Sequence, residues 1–214
     1  MRIAFGYFAC KSQVTSLHFA SMNEDSSPSP VLAPPGAGLP APELFFARLV
    51  FGCFRRSQDR SAVARLFGEE RDRVLALVRP LPPETAARRV LIDRLRGMED
   101  SSRNWSPWMT VEHLRIVNGA VAATMAALLK GDVPARKAST ADVKPGACLG
   151  ADCVDGFEES CRAIERVVAS ASDLRTRAKF AHPWFGPLDA AGWHAMVAFH
   201  MCLHRKQIEA ILRS

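Results

Sequence analysis

Residues 189–212, "DAAGWHAMVAFHMCLHRKQIEAIL", place Trp193, Val197, His200, His204, Gln207 and Ile211 three or four positions apart. That spacing puts all six on one face of an α-helix. Asp189 is suited to cap the helix, and Leu188 before it can staple against Trp193 inside it. The stripe mixes apolar side chains with two imidazoles, which are costly to bury unless something satisfies them. His200 and His204 are therefore either a bonded core pair or two ligands, one turn apart, aimed at a common ion. Spacing alone does not choose, because a chain with this histidine content holds roughly 0.17 such pairs by chance.

The same punctuation marks other helices. In "NWSPWMTVEHLRIVNGAVAATMAALLKG" (104–131), Ser106 caps, Pro107 suits the first helical position and Gly131 stops the run. "PELFFARLVFGCFRR" (42–56) carries Leu44, Phe45, Leu49, Phe51 and Phe54. After a polar break near Ser57–Arg60, "SAVARLFGEERDRVLALV" (61–78) carries Val63, Leu66, Phe67, Val74, Leu77 and Val78. Both are spaced to bury one helical face. "RPLPPE" (79–84) ends this stretch, since proline cannot continue the hydrogen-bond ladder. A short helix is expected over 84–97, ending at Gly97, and a long one over 153–179. Residues 132–152 read as an irregular crossover with a short extended piece. No strand pattern competes. The predicted fold is all-α: a four-helix bundle with a long crossover between the second and third long helices, plus a short extra helix.

Composition narrows the function. With 214 residues and 48% hydrophobic content, one domain over 42–214 is expected. The Pro-, Ser- and Gly-rich residues 1–41 read as a disordered leader, with Met22 as an alternative start. No apolar run approaches the length of about 18 residues that spans a bilayer, so no membrane is expected. The net charge of +6 comes mostly from 22 Arg that are spread along the chain among acids. It is not gathered into a phosphate-binding stripe, which argues against nucleic acid. Six scattered cysteines without a CxxC pair fit a reduced, cytoplasmic setting.

A third imidazole, His113, lies in the second turn of the 106–130 helix. It is either a core histidine bonded to a backbone carbonyl or a third ligand. Three histidines on two facing helices would leave a metal with open positions, as a catalytic site requires. Here "WSPWMTVEHL" and the downstream "HPWFGPLDAAGWHAMVAFHMCLHRKQIEAIL" resemble the DinB-like (YfiT-like) metal-binding four-helix-bundle superfamily. The resemblance covers about residues 44–213 and implies His113, His200 and His204 as metal ligands. It further implies a bacterial metal-dependent enzyme, akin to mycothiol-dependent maleylpyruvate isomerase or the bacillithiol transferases. Such an enzyme would be a thiol-dependent S-transferase or isomerase acting with a low-molecular-weight thiol on a small electrophile. The alternative is a non-catalytic metal-binding stress-response or binding protein. Imidazole ligands suit zinc, nickel and iron(II), and zinc is the ion expected. A homodimer stays open.

Other residues are read against this site. Gln207, one turn beyond His204, is placed to hold a ligand ring. Trp105, Trp108, Trp184, Phe185 and Trp193 flank the entrances to the ligand helices and either wall a pocket or pack the helix starts. Glu99, Asp100 and Arg103 either salt-bridge or anchor an anionic substrate. His182 reads as fixing the "HPWFGPL" loop. Cys202 falls about 200° round the helix from either histidine and should miss the metal. Cys148 and Cys153 read as structural.

Overall fold

The computed structural model describes residues 31–146 and 149–214. Six helices form its frame: α1 (Ala41–Ser57), α2 (Arg60–Val78), α3 (Pro83–Ala87), α4 (Pro107–Leu129), α5 (Asp152–Ser170) and α6 (Ala190–Arg213). Helices α2, α4, α5 and α6 pack side by side as the bundle, and α1 lies along α6. The core between them includes Phe67, Leu114, Met125, Phe157, Ile164, Met201 and Ile208, all nearly or fully inaccessible. Among the described residues no helix is long and apolar enough to cross a membrane.

The helix ends follow the local chemistry. The Ser106 hydroxyl accepts from the Met109 N–H at 3.1 Å, and the Asp189 carboxylate accepts from the Gly192 N–H at 2.8 Å. Each satisfies one of the donors that a helix start leaves free. Leu188 and Trp193 are both buried, as the staple requires. At the end of α4, Gly131 adopts φ +86°. Its N–H reaches the Leu128 carbonyl while that of Asp132 reaches Ala127, the paired closure that needs a left-handed residue.

Four expectations are corrected. The helix over 84–97 shrinks to α3, after which the chain is extended: β1 (Val90–Leu91) pairs antiparallel with β2 (Asn104–Trp105). Tertiary partners override helix propensity here. Glu43 of α1 accepts from Arg94 and from the Gly97 N–H, and Ile92 and Met98 are buried in a small cluster with Ile211. The helix over 153–179 stops at Ser170, where Arg60 donates to the carbonyls of Val168 and Ser172. Residues 171–179 then run outside helix, and the Leu174 carbonyl accepts from Ala191 at the start of α6. Strands do exist: besides β1–β2, a hairpin joins β3 (Phe180–His182) to β4 (Gly186–Leu188). Finally, Phe45 and Leu49 do not join a buried face. They are 63% and 54% exposed, because α1 meets the body on its other side, through Phe51.

The crossover from Lys130 to Ala151 is irregular apart from one 3₁₀ turn at Ala141–Val143, and no strand occurs in it among the described residues. Most of the expected leader, Met22 included, lies outside the described residues. Its final stretch is described and touches the body: the Ala33 N–H donates to Asp100 at 2.8 Å, and Leu39 is buried.

Candidate metal centre

His113 sits in the second turn of α4, and His200 and His204 lie one turn apart on α6. The packing of α4 against α6 brings the three imidazoles together, with one nitrogen of each within 4.8 Å of the others. Ring centroids are 4.5 Å apart for His113–His204 and 4.3 Å for His200–His204. Burial pushes the His113 pKa down to about 4, and it holds His200 and His204 well below the ordinary imidazole value, helped by the neighbouring histidines. All three rings are therefore neutral near pH 7, the form that can offer a lone pair.

Hydrogen bonds decide which nitrogen offers it. The Val143 carbonyl can only accept, so His113 Nδ1, 2.7 Å away, carries the proton and Nε2 keeps the lone pair. Gln207 Nε2 donates to the Ser102 carbonyl at 2.7 Å, which turns its Oε1 toward His204 Nδ1, also at 2.7 Å. His204 thus donates from Nδ1 and likewise keeps its lone pair on Nε2. His113 Nε2 lies 3.1 Å from His200 Nε2. Two nitrogens bound to one tetrahedral ion at about 2.0–2.1 Å would stand about 3.3 Å apart. The other nitrogen of His200, Nδ1, is buried with no hydrogen-bond partner among the described residues. The donor set is thus all-imidazole and neutral, with two of its three rings braced from behind, and it could hold a divalent metal ion.

The cluster opens into a cavity of about 330 Å³. One wall is apolar, from Val117 and Val121 of α4 and Met196, Phe199 and Leu203 of α6. The β3–β4 hairpin forms a second wall with His182, Trp184 and Phe185; α1 steadies it by the Arg48–Trp184 carbonyl hydrogen bond and the Phe51–Phe185 stack. The crossover forms the third. It is clamped by Lys144, whose ammonium lies 2.7 Å from Glu99, and by Thr140, whose hydroxyl donates to Glu99 at 2.7 Å. Burial opposes ionisation of Glu99, but these two partners hold its carboxyl below the usual range.

The expected site residues divide accordingly. Trp184, Phe185 and Trp193 line the cavity. Trp105 does not, but it backs the histidines, its ring 5.1 Å from His113 and 6.2 Å from His204. Trp108 is not a cavity residue: it is 8% exposed and packs in the bundle core. Arg103 is not one either, because its guanidinium is spent on the Ile92 carbonyl and Asp100 beside β1 and β2. Of the acids near it, Glu99 does line the cavity, but as the partner of Lys144 rather than as a free anchor. Cys202 is absent from the histidine cluster, and Cys153 is buried beside Trp108, while Cys148 lies outside the described residues. The sequence reading missed the crossover's part altogether. Val143 acts through its backbone carbonyl, which no side-chain pattern announces, and Thr140 and Lys144 meet Glu99 across more than 40 residues of chain. Phe199, beside His200, had the adjacent histidine as its signal.

The helical core that carries these histidines has a counterpart among known sequences. The sequence model of the DinB superfamily matches residues 66–208. The chain belongs to the DinB superfamily. The match includes α4, the crossover, the hairpin and most of α6, and so takes in all three histidines of this DinB-superfamily chain. Among solved structures the protein is similar to TT2238, described as a four-helix bundle protein, at 23% identity and a TM-score of 0.53. That likeness covers 71% of this chain and 99% of the other, and at this identity it speaks for the fold alone. No curated protein matches.

Proposed function

We propose that this DinB-superfamily chain is a divalent-metal-dependent enzyme acting on a small molecule in the cavity beside His113, His200 and His204. These three would be the ligands, with zinc ahead of nickel or iron(II). The observation that carries the reading is a cluster of three neutral imidazoles, rather than four closed ligands, opening on a cavity of small-molecule size. A bound divalent ion lowers the pKa of a water or thiol that reaches it, so the nucleophile needs no separate base.

The residues of the chain supply the rest. Val143 and Gln207 hold two rings with their Nε2 lone pairs turned inward. Val117, Val121, Phe199 and Leu203 offer an apolar surface that excludes water from the reacting group. Of the acids that line the cavity, Glu99 is paired with Lys144 and Asp142 with Arg136. The resemblance to thiol-dependent members of the superfamily supports a low-molecular-weight thiol as the nucleophile. The reaction class is transfer of that thiol to an electrophilic carbon, or a thiol-assisted isomerisation.

Metal analysis of the purified protein beside His113→Ala and His204→Ala tests the site. Loss of bound metal in both variants is expected, and undiminished metal in both overturns the reading. Thiol-consumption assays with a panel of electrophiles then test the chemistry. No turnover with any metal and thiol would leave a metal-binding protein without catalysis.

A further inference from the structure

His182 ends β3, pairs with Gly186 across the hairpin, and faces the same cavity as the three clustered histidines. Its Nδ1 accepts the Trp184 N–H at 3.1 Å and the Phe185 N–H at 3.3 Å. Backbone N–H groups can only donate, so Nδ1 must carry the lone pair, and the proton of the neutral ring is fixed on Nε2. The ring plane is held as well: it stacks on Phe185 at 4.8 Å and leans on Trp193 at 5.4 Å. Among the described residues the hydrogen bonds of this ring run through Nδ1, not Nε2. The contacts that fix the loop therefore manufacture a second feature, a hydrogen-bond donor of fixed tautomer and fixed direction on a cavity wall.

We infer that His182 is a substrate-orienting residue, whose Nε2–H donates to an acceptor oxygen of the small molecule, a carbonyl or carboxylate. The partner class follows from the walls. Its body is apolar, to lie on Val117, Val121 and Phe199. One end reaches the three imidazoles, and the acceptor oxygen lies toward the hairpin. This rests on the proposed metal site for the first anchor, but the state of His182 itself does not depend on it.

Two substitutions separate the roles of the ring. His182→Asn keeps an acceptor near the place of Nδ1, so the turn can keep its N–H bonds, and removes the donor. His182→Gln places an amide N–H near the position of Nε2. The probes are 3-mercaptopropionate and 1-propanethiol, which share a thiol and differ at the far end of a three-carbon chain. Binding to the full-length cobalt(II)-loaded protein is read from the sulfur-to-cobalt absorption band. Expected is roughly tenfold or greater preference for 3-mercaptopropionate, abolished in His182→Asn with 1-propanethiol affinity unchanged, and partly kept in His182→Gln. Equal preference in wild type and His182→Asn overturns the inference. Long-range ¹⁵N–¹H correlations on metal-free protein must also place the His182 proton on Nε2, and a proton on Nδ1 would equally overturn it. If neither thiol produces the cobalt band, the reading of a thiol bound at the metal fails, and with it the first anchor, whereas the proton position at His182 still stands or falls on its own.

Discussion

Gln207→Met replaces the fully buried Gln207 by a side chain of similar length with neither donor nor strong acceptor. Two hydrogen bonds disappear: the one from His204 Nδ1, at 2.7 Å, and the one to the Ser102 carbonyl, at 2.7 Å. A buried polar group stranded in this way costs about 1–3 kcal/mol. With two groups stranded, metal-free protein should lose about 2–6 kcal/mol of stability, read as a lower urea midpoint at unchanged slope. A second effect should appear that a purely structural role would not produce. Without Gln207 the His204 ring is free to turn and its tautomer is no longer set, so metal affinity should fall about 10- to 100-fold. Competition with a chromophoric chelator, at a urea-free temperature where both proteins are folded, measures this directly. A variant that is destabilised as expected yet holds metal as tightly as wild type would refute the chain of contacts from Ser102 through Gln207 to His204.

The α2–α6 contact gives an independent test. Glu70 is 1% exposed and accepts from Arg73 and Arg205, so Glu70→Ala leaves the largely buried Arg205 with Glu209 as its remaining acidic partner and should cost about 2 kcal/mol in urea denaturation. Burial pushes His194 down to about 4 from an ordinary value near 6.5, so the unfolded chain binds more protons than the folded one between those values. Its contribution is complete above about pH 6.5 and is lost progressively as pH falls toward 4, at most about 3 kcal/mol. His194→Phe in chelator-treated protein should flatten the acid limb of the urea-midpoint profile, and an unchanged limb would show that His194 does not carry it.

The parts of this architecture that sequence discloses are those set by neighbours in the chain. Ser106–Pro107 and Asp189 announce the starts of α4 and α6 because capping is settled within a few residues. The stripe through His200, His204 and Gln207 is legible for the same reason, as a matter of helical period. The period does not say what a stripe faces: Phe45 and Leu49 follow it as faithfully as Phe51, yet only Phe51 meets the body. Residues 84–97 carried a helical pattern that lost to distant partners, Glu43 for Arg94 and Ile211 for Ile92 and Met98. Family resemblance brought His113 to the pair on α6. Residue pattern alone left it open, since the convergence depends on how two helices dozens of residues apart pack. The crossover's share was invisible because a carbonyl at Val143 is available from any residue type.

X-ray absorption at the metal edge of the protein, loaded with zinc and then exposed to 3-mercaptopropionate, addresses the three-imidazole site most directly. Three imidazole nitrogens at about 2.0–2.1 Å should be present before the thiol is added, and one sulfur at about 2.3 Å should join them afterwards. Fewer than three imidazoles, or a spectrum unchanged in His113→Ala, would mean that His113, His200 and His204 do not share an ion.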